Sequence, residues 1–410
     1  MDRKKVIVQI FTGGFKAKEI KFNDIKCKLL ELLDCIDIEK VIMGWSVDEE
    51  LYVETKKLLN KYNVELYLWL PCFSEIGLLE KSNLLIDYMG KEVKGYALQE
   101  DENFEFYCPN NKENIKKHSF YPFIRYKKEN IKNIKKIYST YFSDIKFDGI
   151  FLDKIRYGSF SNKLNGVFNC FCKDCLNIYE KNNIDKESLM REMNNVSKGV
   201  IDNEDTPFGI TEYINGKYKF KNKIWEDFFE TKNQNIYKAL LEISNYFKSK
   251  GLKIGIDTFS PFISYFTGQD LEKLQEVADF IKPMMYRITK APAGLPFEFE
   301  RFIDESIHKN KEIGKRNFLD ILGIKEYEGN VYPIEFVLEE IDFMTRNLNK
   351  DIYVGVEINK KEIIAPVTPK YISENISNIN KTTVKGYVLS WDLLSAPKEN
   401  IDEIIKWFRN

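Results

Sequence analysis

Eight short runs rich in β-branched and aromatic residues, set apart by longer amphipathic stretches, constrain this chain more than any other feature. They are Val6 to Phe11, Val41 to Trp45, Val64 to Leu70, Gly149 to Leu152, Ile254 to Thr258, Phe280 to Tyr286, Ile352 to Glu357 and Gly386 to Trp391. Runs this short and this continuously apolar read as strands buried on both faces, the pattern of a parallel sheet. Helical patterns lie between them over Glu49 to Leu59, Ile131 to Phe142, Trp225 to Phe247, Ile334 to Leu348 and Ile372 to Ile379, and Ile401 to Trp407 closes the chain. Eight βα units in succession predict a (β/α)8 TIM barrel, because right-handed crossovers close such a series most simply. An open doubly wound sheet is the alternative. Against it, Thr12-Gly13-Gly14-Phe15 does not complete the Gly-x-Gly-x-x-Gly turn expected after a first strand.

The length of 410 residues, 43% of them hydrophobic, suits one barrel domain spanning 1–410. Three connections exceed what a barrel needs, at about 71–123, 158–223 and 288–332. All follow strand ends, where long excursions build substrate clefts or serve as decoration or oligomer contacts. The charges nearly cancel, 62 Lys plus Arg against 63 Asp plus Glu, so nothing argues for nucleic acid or anionic lipid, and a neutral or small partner is expected. No apolar run approaches the ~20 residues that cross a bilayer. The first apolar run is shorter than a signal peptide core, and the seven cysteines are irregularly spaced, so reduced thiols or a metal in a cytoplasmic protein are expected rather than a disulfide framework.

The groups that end these runs point to carbohydrate. They are Trp45, Trp69, Asp153, Asp257, Tyr286-Arg287, Glu357 and Trp391-Asp392, with Arg156 and Tyr157 just beyond Asp153. Indole rings are flat platforms for the C–H faces of sugars, and carboxylates break glycosidic bonds. Competing barrel chemistries lack their parts. Metal-dependent amidohydrolases need several histidines, and only His118 and His308 are present, neither at a strand end. The turns after strands seven and eight, Ile358-Asn359-Lys360-Lys361 and Leu393-Leu394-Ser395, are not the Gly-rich turns of phosphate sites. No Ser or Cys sits in a nucleophile motif, nothing around Lys154 or Lys282 marks a desolvated Schiff-base amine, and no organic cofactor is expected.

Cys170-Phe171-Cys172-Lys173-Asp174-Cys175 carries a second signal, three thiols spaced like a metal knuckle. A closed structural zinc site needs a fourth ligand, for which Cys108 of the loop after strand three is the candidate and Cys72 the alternative.

Cys108-Pro109-Asn110 followed by Cys170-x-Cys172-x-x-Cys175 resembles the zinc-bearing loops of certain barrel β-galactosidases, and Phe147-Asp148-Gly149-Ile150-Phe151-Leu152-Asp153 resembles strand four of the wider glycoside-hydrolase-like barrels. The resemblance implies a glycosidase with a structural zinc. It also departs from the galactosidases, which end strand four in Asn-Glu with Glu as acid/base where this chain has Asp153-Lys154; their nucleophile, a Glu ending strand seven, is matched by Glu357.

The expected function is a glycoside hydrolase acting on an oligosaccharide or glycoside, and the alternative is a catalytically silent barrel that binds carbohydrate or protein. Asp153 with Glu357 is the expected reacting pair, Asp257 and Asp392 tuning it or binding hydroxyls. Arg156, Tyr157 and Tyr286 would position substrate, and Trp45, Trp69 and Trp391 would stack on it. The second assignment takes Asp153 as nucleophile and Asp257 as acid. Capping of strands and neutralisation of Lys154, Arg156 and Arg287 would account for the same carboxylates without chemistry.

Overall fold

Each of the eight apolar runs forms a strand in the computed structural model, which describes residues 4–13, 19–73, 84–93, 96–97, 106–108, 113–115, 119–120, 128–199, 206–325 and 331–409. At 96–97, 106–108, 113–115, 119–120 and 128–129 only the backbone is described. The strands are β1 (Lys5–Phe11), β2 (Ile38–Gly44), β3 (Glu65–Pro71), β4 (Gly149–Asp153), β5 (Lys253–Phe259), β6 (Phe280–Met284), β7 (Asp351–Glu357) and β8 (Gly386–Ser390). Each pairs in parallel with its neighbours in chain order. The ring closes where β1 meets β8, with Val6 opposite Tyr387 and Val8 opposite Leu389. The fold is a TIM barrel.

Alternation along the strands divides two cores. On β1, Val6, Val8 and Ile10 face the helices, while Ile7 and Phe11 face the lumen with Ile42, Tyr67, Phe151, Phe280, Tyr353 and Val388. The Phe280 ring stacks on Phe151 at 6.0 Å and meets Tyr67 and Tyr353 edge-on at 5.5 and 5.4 Å. This plug makes the lower lumen solid, as barrel interiors are. Two residues further along each strand, the same inward face presents Gln9, Trp69, Asp153, Asp257, Lys282 and Ser390.

The outer helices match the sequence patterns closely: Glu49–Asn60, Lys128–Tyr141, Lys223–Lys248, Ile334–Asn347, Pro369–Ile379 and Lys398–Phe408, preceded by Phe22–Leu33. After β5 the pattern breaks, with two single-turn helices, Pro261–Ser264 and Leu271–Leu274. The hairpin Ile210–Ile214/Lys217–Phe220 packs there, and its Tyr218 hydroxyl donates to the Phe262 carbonyl at 2.7 Å. A long insertion follows β3, residues 72 to 127 before the next helix. The excursion after β4 carries the helices Lys173–Lys181 and Lys186–Lys198, and that after β6 carries Leu295–Ser306 and Lys311–Ile321. Among the described residues no helix is long and apolar enough to cross a membrane.

Candidate active site

The inward polar layer and the loops above it enclose a cleft of ≈ 870 Å³, its open mouth included, at the carboxyl ends of the strands. Among the residues expected from the sequence, Trp45, Trp69, Asp153, Arg156, Asp257, Tyr286 and Trp391 line it. Sequence reasoning missed Gln9 as a site residue and set Lys282 aside. Gln9 lines the cleft, and Lys282 lies directly beneath it.

Asp153 ends β4, whereas Asp257 lies two residues before the end of β5 rather than at it; both stand on adjacent strands, one register step beyond the paired Leu152 and Ile256. Trp69 Nε1 donates to Asp153 Oδ2 at 2.9 Å. Lys154 turns into the left-handed region (φ 53), so its backbone N–H returns to Asp153 Oδ1. The Lys154 amine is half-buried, and burial lowers it to about 8. Burial lowers the Arg156 guanidinium to about 10, against the attraction of Glu298, Asp153 and Asp257; it lies 4.2 Å from the Phe259 ring centroid.

Asp257 is 3% exposed, and burial raises its carboxyl to about 7, against the pull of Lys282. Lys282, 0% exposed, lies 3.1 Å from each Asp257 oxygen and hydrogen-bonds Oδ2. Its other partners are the Tyr286 hydroxyl at 2.7 Å and Gln9 Oε1 at 3.5 Å. Gly355 on β7 makes this crossing possible, since a Cβ there would sit 2.6 Å from Lys282 Cε. A cationic lysine in a barrel lumen is tolerated because its donors all have partners. β6 ends at Met284, so Tyr286 reaches the cleft from the following loop rather than from the strand.

Three residues expected at the site from the sequence, Glu357, Asp392 and Tyr157, lie outside the cleft lining. Glu357 is buried outside the cleft lining: Oε1 accepts from the Ile288 and Thr289 amides at 3.1 and 3.2 Å and the Thr289 hydroxyl at 2.9 Å, and Oε2 accepts from the Tyr371 hydroxyl. Its lone pairs are spent on holding the loop after β6. Asp392 likewise ties β1 to the last turn, accepting from Phe11 N at 3.0 Å, Leu394 N at 3.1 Å and Ser395 Oγ at 2.7 Å. Tyr157 packs beneath the cysteine loop, under the Lys232 ammonium at 4.8 Å. Arg287, the other group expected at the end of strand six, is buried too, donating to Tyr332 O at 2.7 Å and pairing with Glu374 at 2.9 Å.

The aromatic wall is continuous on one side. Phe11 meets Trp45 edge-on at 4.9 Å and Trp69 at 6.0 Å, and the two indoles meet at 5.7 Å. Trp391 stands beyond β8 with its amide held by Asn359 Oδ1 at 2.7 Å.

Cys170, Cys172 and Cys175 are buried, with their sulfurs within 4.8 Å of one another. Hydrogen bonds from Cys170, Cys175 and the backbone amides of Cys175 and Asp174 draw the Cys172 thiol toward thiolate. Lys232, buried nearby, donates to Val167 O at 2.8 Å and feels the charge of Cys170 and Cys175. The side chain of Cys108 lies outside the described residues. Cys72 is not part of the cluster; its thiol donates to Leu70 O at 3.6 Å.

No family model matches the chain, and no curated protein matches it in sequence. Among solved structures, it is similar to the glycoside hydrolase domain of PgaB (BpsB) from Bordetella bronchiseptica, with TM-score 0.54 and 9% identity over 99% of each chain. A chitinase from Chromobacterium violaceum gives TM-score 0.43 at 9% identity over 99% of each chain. A GH18 chitinase from Flavobacterium johnsoniae gives 0.43 at 10% identity over 99% of this chain and 94% of that one. What the chain shares with the first of these is the (β/α)8 barrel architecture, and at such identity the likeness extends to fold alone.

Proposed function

We propose that this chain is a glycoside hydrolase in which Asp257 is the acid/base and Asp153 the carboxylate that attacks or stabilises the anomeric carbon. The observation that carries this reading is two carboxyl groups of unlike surroundings sharing one tryptophan-walled cleft. Burial keeps Asp257 near 7, suited to giving and taking a proton at neutral pH, while Asp153 accepts from the Trp69 indole and the Lys154 amide. Glu357, already engaged by four donors, has no role at the reacting centre in this scheme. Adjacent strands lie ~4.8 Å apart, which favours the ~5 to 5.5 Å carboxyl separation of retaining enzymes over the wider inverting pair.

Aryl glycosides of several sugars in both anomeric forms test the proposal, with release followed by colour and product configuration by NMR. Hydrolysis with retention, lost in Asp257→Asn, is the expected result. Uniform inactivity together with sugar binding would instead support a catalytically silent carbohydrate-binding barrel, the reading favoured by the ion pair that engages Asp257 with Lys282.

A structural zinc on Cys170, Cys172 and Cys175, with Cys108 as fourth ligand, belongs to the same proposal. Three sulfurs on one zinc at ~2.3 Å would lie ~3.8 Å apart, inside the span these thiols already occupy. The metal would fasten the loop after β4, and Lys232 would offset the charge of the thiolates. Elemental analysis of protein purified without added metal should find one zinc per chain; freely titrating thiols and no zinc would refute it.

A further inference from the structure

The cleft floor holds a polar atom without a hydrogen-bond partner, Gln9 Nε2, and opposite it Asp257, whose Oδ1 accepts no hydrogen bond and stands 3.1 Å from the Lys282 ammonium. Buried donors and acceptors are nearly always satisfied, because leaving one bare costs free energy. Both residues line the cleft and are 1% and 3% exposed. The orientation of the Gln9 amide follows from its neighbour: an ammonium has no lone pair, so the atom facing Lys282 must be Oε1, and Nε2 turns the other way. Lys282 is the common partner, touching Gln9 on one side and Asp257 on the other.

We propose that Gln9 is a specificity-determining residue that donates from Nε2 to a ring-substituent oxygen of a sugar seated deep in the cleft, and that Lys282 is a positioning residue that holds Gln9 and Asp257 in register. The proposal rests on the carbohydrate reading above and deepens it. The ligand group is a neutral acceptor, such as a secondary hydroxyl, placed toward β1. Asp257, from the opposite side of the lumen, presents the carboxyl group that faces the reacting bond. A single lysine thus aims one recognising atom and one reacting atom at the same ring, and Gly355 leaves room for its stem.

The test reads binding without hydrolysis, through quenching of tryptophan fluorescence by methyl glycosides of glucose, galactose, mannose and N-acetylglucosamine. Monodeoxy derivatives of whichever sugar binds follow. Gln9→Met, which keeps the length and removes the donor, should weaken the parent glycoside about tenfold. One monodeoxy derivative should bind Gln9→Met and the unmodified protein equally, because the contact is already absent from it. Lys282→Met should move the pH midpoint of binding or of kcat/KM upward, since the cation that favours ionised Asp257 is gone, whereas Gln9→Met should leave that midpoint in place. Binding that loses the same factor for every derivative, or is indifferent to Gln9→Met, overturns the proposal while leaving the carbohydrate reading intact. Failure of the unmodified protein to bind any of these sugars overturns both.

Discussion

Carboxylates stand at or near the carboxyl ends of four of the barrel strands, and the two sides of the barrel treat them in opposite ways. On the β4/β5 side, Asp153 and Asp257 open onto the cleft, and among the described residues Asp257 is held by Lys282 alone, with one oxygen in the ion pair but without a hydrogen bond. On the β7/β8 side, Glu357 and Asp392 are enclosed by amides and hydroxyls of the loops they organise. The residue types are alike and the strand positions nearly equivalent. What separates them is the number of protein donors that reach each one, and only a carboxyl group with unclaimed lone pairs is available to a ligand.

The largest test of this contrast is activity. On an aryl glycoside substrate, Asp153→Asn and Asp257→Asn should each lower kcat about a thousandfold, the scale of losing a nucleophile or general acid, while thermal unfolding stays near that of the unmodified protein. Near-normal turnover in either variant would move the chemistry off the β4/β5 side.

The opposite side should answer in stability. Glu357→Ala would strand two buried amides and two hydroxyls, and a loss of about 3 kcal/mol is expected by urea unfolding, with a much smaller change in kcat than Asp257→Asn produces. A Glu357→Gln variant as stable as the parent but inactive would reverse the comparison and restore Glu357 as a reacting group.

How much of this was legible in the sequence divides along the same line. The barrel was, because strands buried on both faces must be apolar along their length, and Gly149 to Leu152 marked β4 to within one residue. The cleft-lining carboxylates and tryptophans were also within reach, since strand ends locate them. The fate of Glu357 was not: its partners Ile288, Thr289 and Tyr371 come from loops and helices whose approach no local pattern encodes. Gln9 and Lys282 did leave a signal. Each is a polar residue at an inward position of an otherwise apolar strand, Val-Ile-Val-Gln-Ile-Phe and Phe-Ile-Lys-Pro-Met, where the burial cost requires a partner.

Protonation gives a third, smaller contrast. The Asp257 carboxyl is raised from 3.8 to about 7, chiefly by burial. A carboxyl raised in the folded state contributes its stability fully below the unfolded value and loses it as pH rises through the folded one. The folded protein should therefore lose part of its stability between about pH 4 and pH 7, and Asp257→Asn should flatten that decline by ~2 to 4 °C in thermal midpoint. The same proton is needed for catalysis, so kcat/KM should fall above about pH 7. A melting curve indifferent to this substitution across that range would place the titration elsewhere.

The smallest expected effects separate the two ends of the aromatic wall. Trp69 touches the chemistry through a donor: its Nε1 reaches Asp153 Oδ2 at 2.9 Å, so Trp69→Phe keeps most of the ring and removes one bond to a carboxylate. A hydrogen bond to a charged group is worth ~1.5 to 3 kcal/mol, so kcat should fall at least about tenfold with KM little changed. Trp391 lines the cleft from beyond β8 and offers a ring face; Trp391→Ala should raise KM ~5- to 10-fold, the loss of one stacking platform, and spare kcat. The two variants thus ask whether the wall beside β4 is part of the reacting centre while the wall beyond β8 only holds the sugar. If Trp391→Ala lowered kcat and Trp69→Phe only raised KM, Asp153 would not be the group whose charge the transition state depends on, and the division between an open and an enclosed side would have to be redrawn around β8.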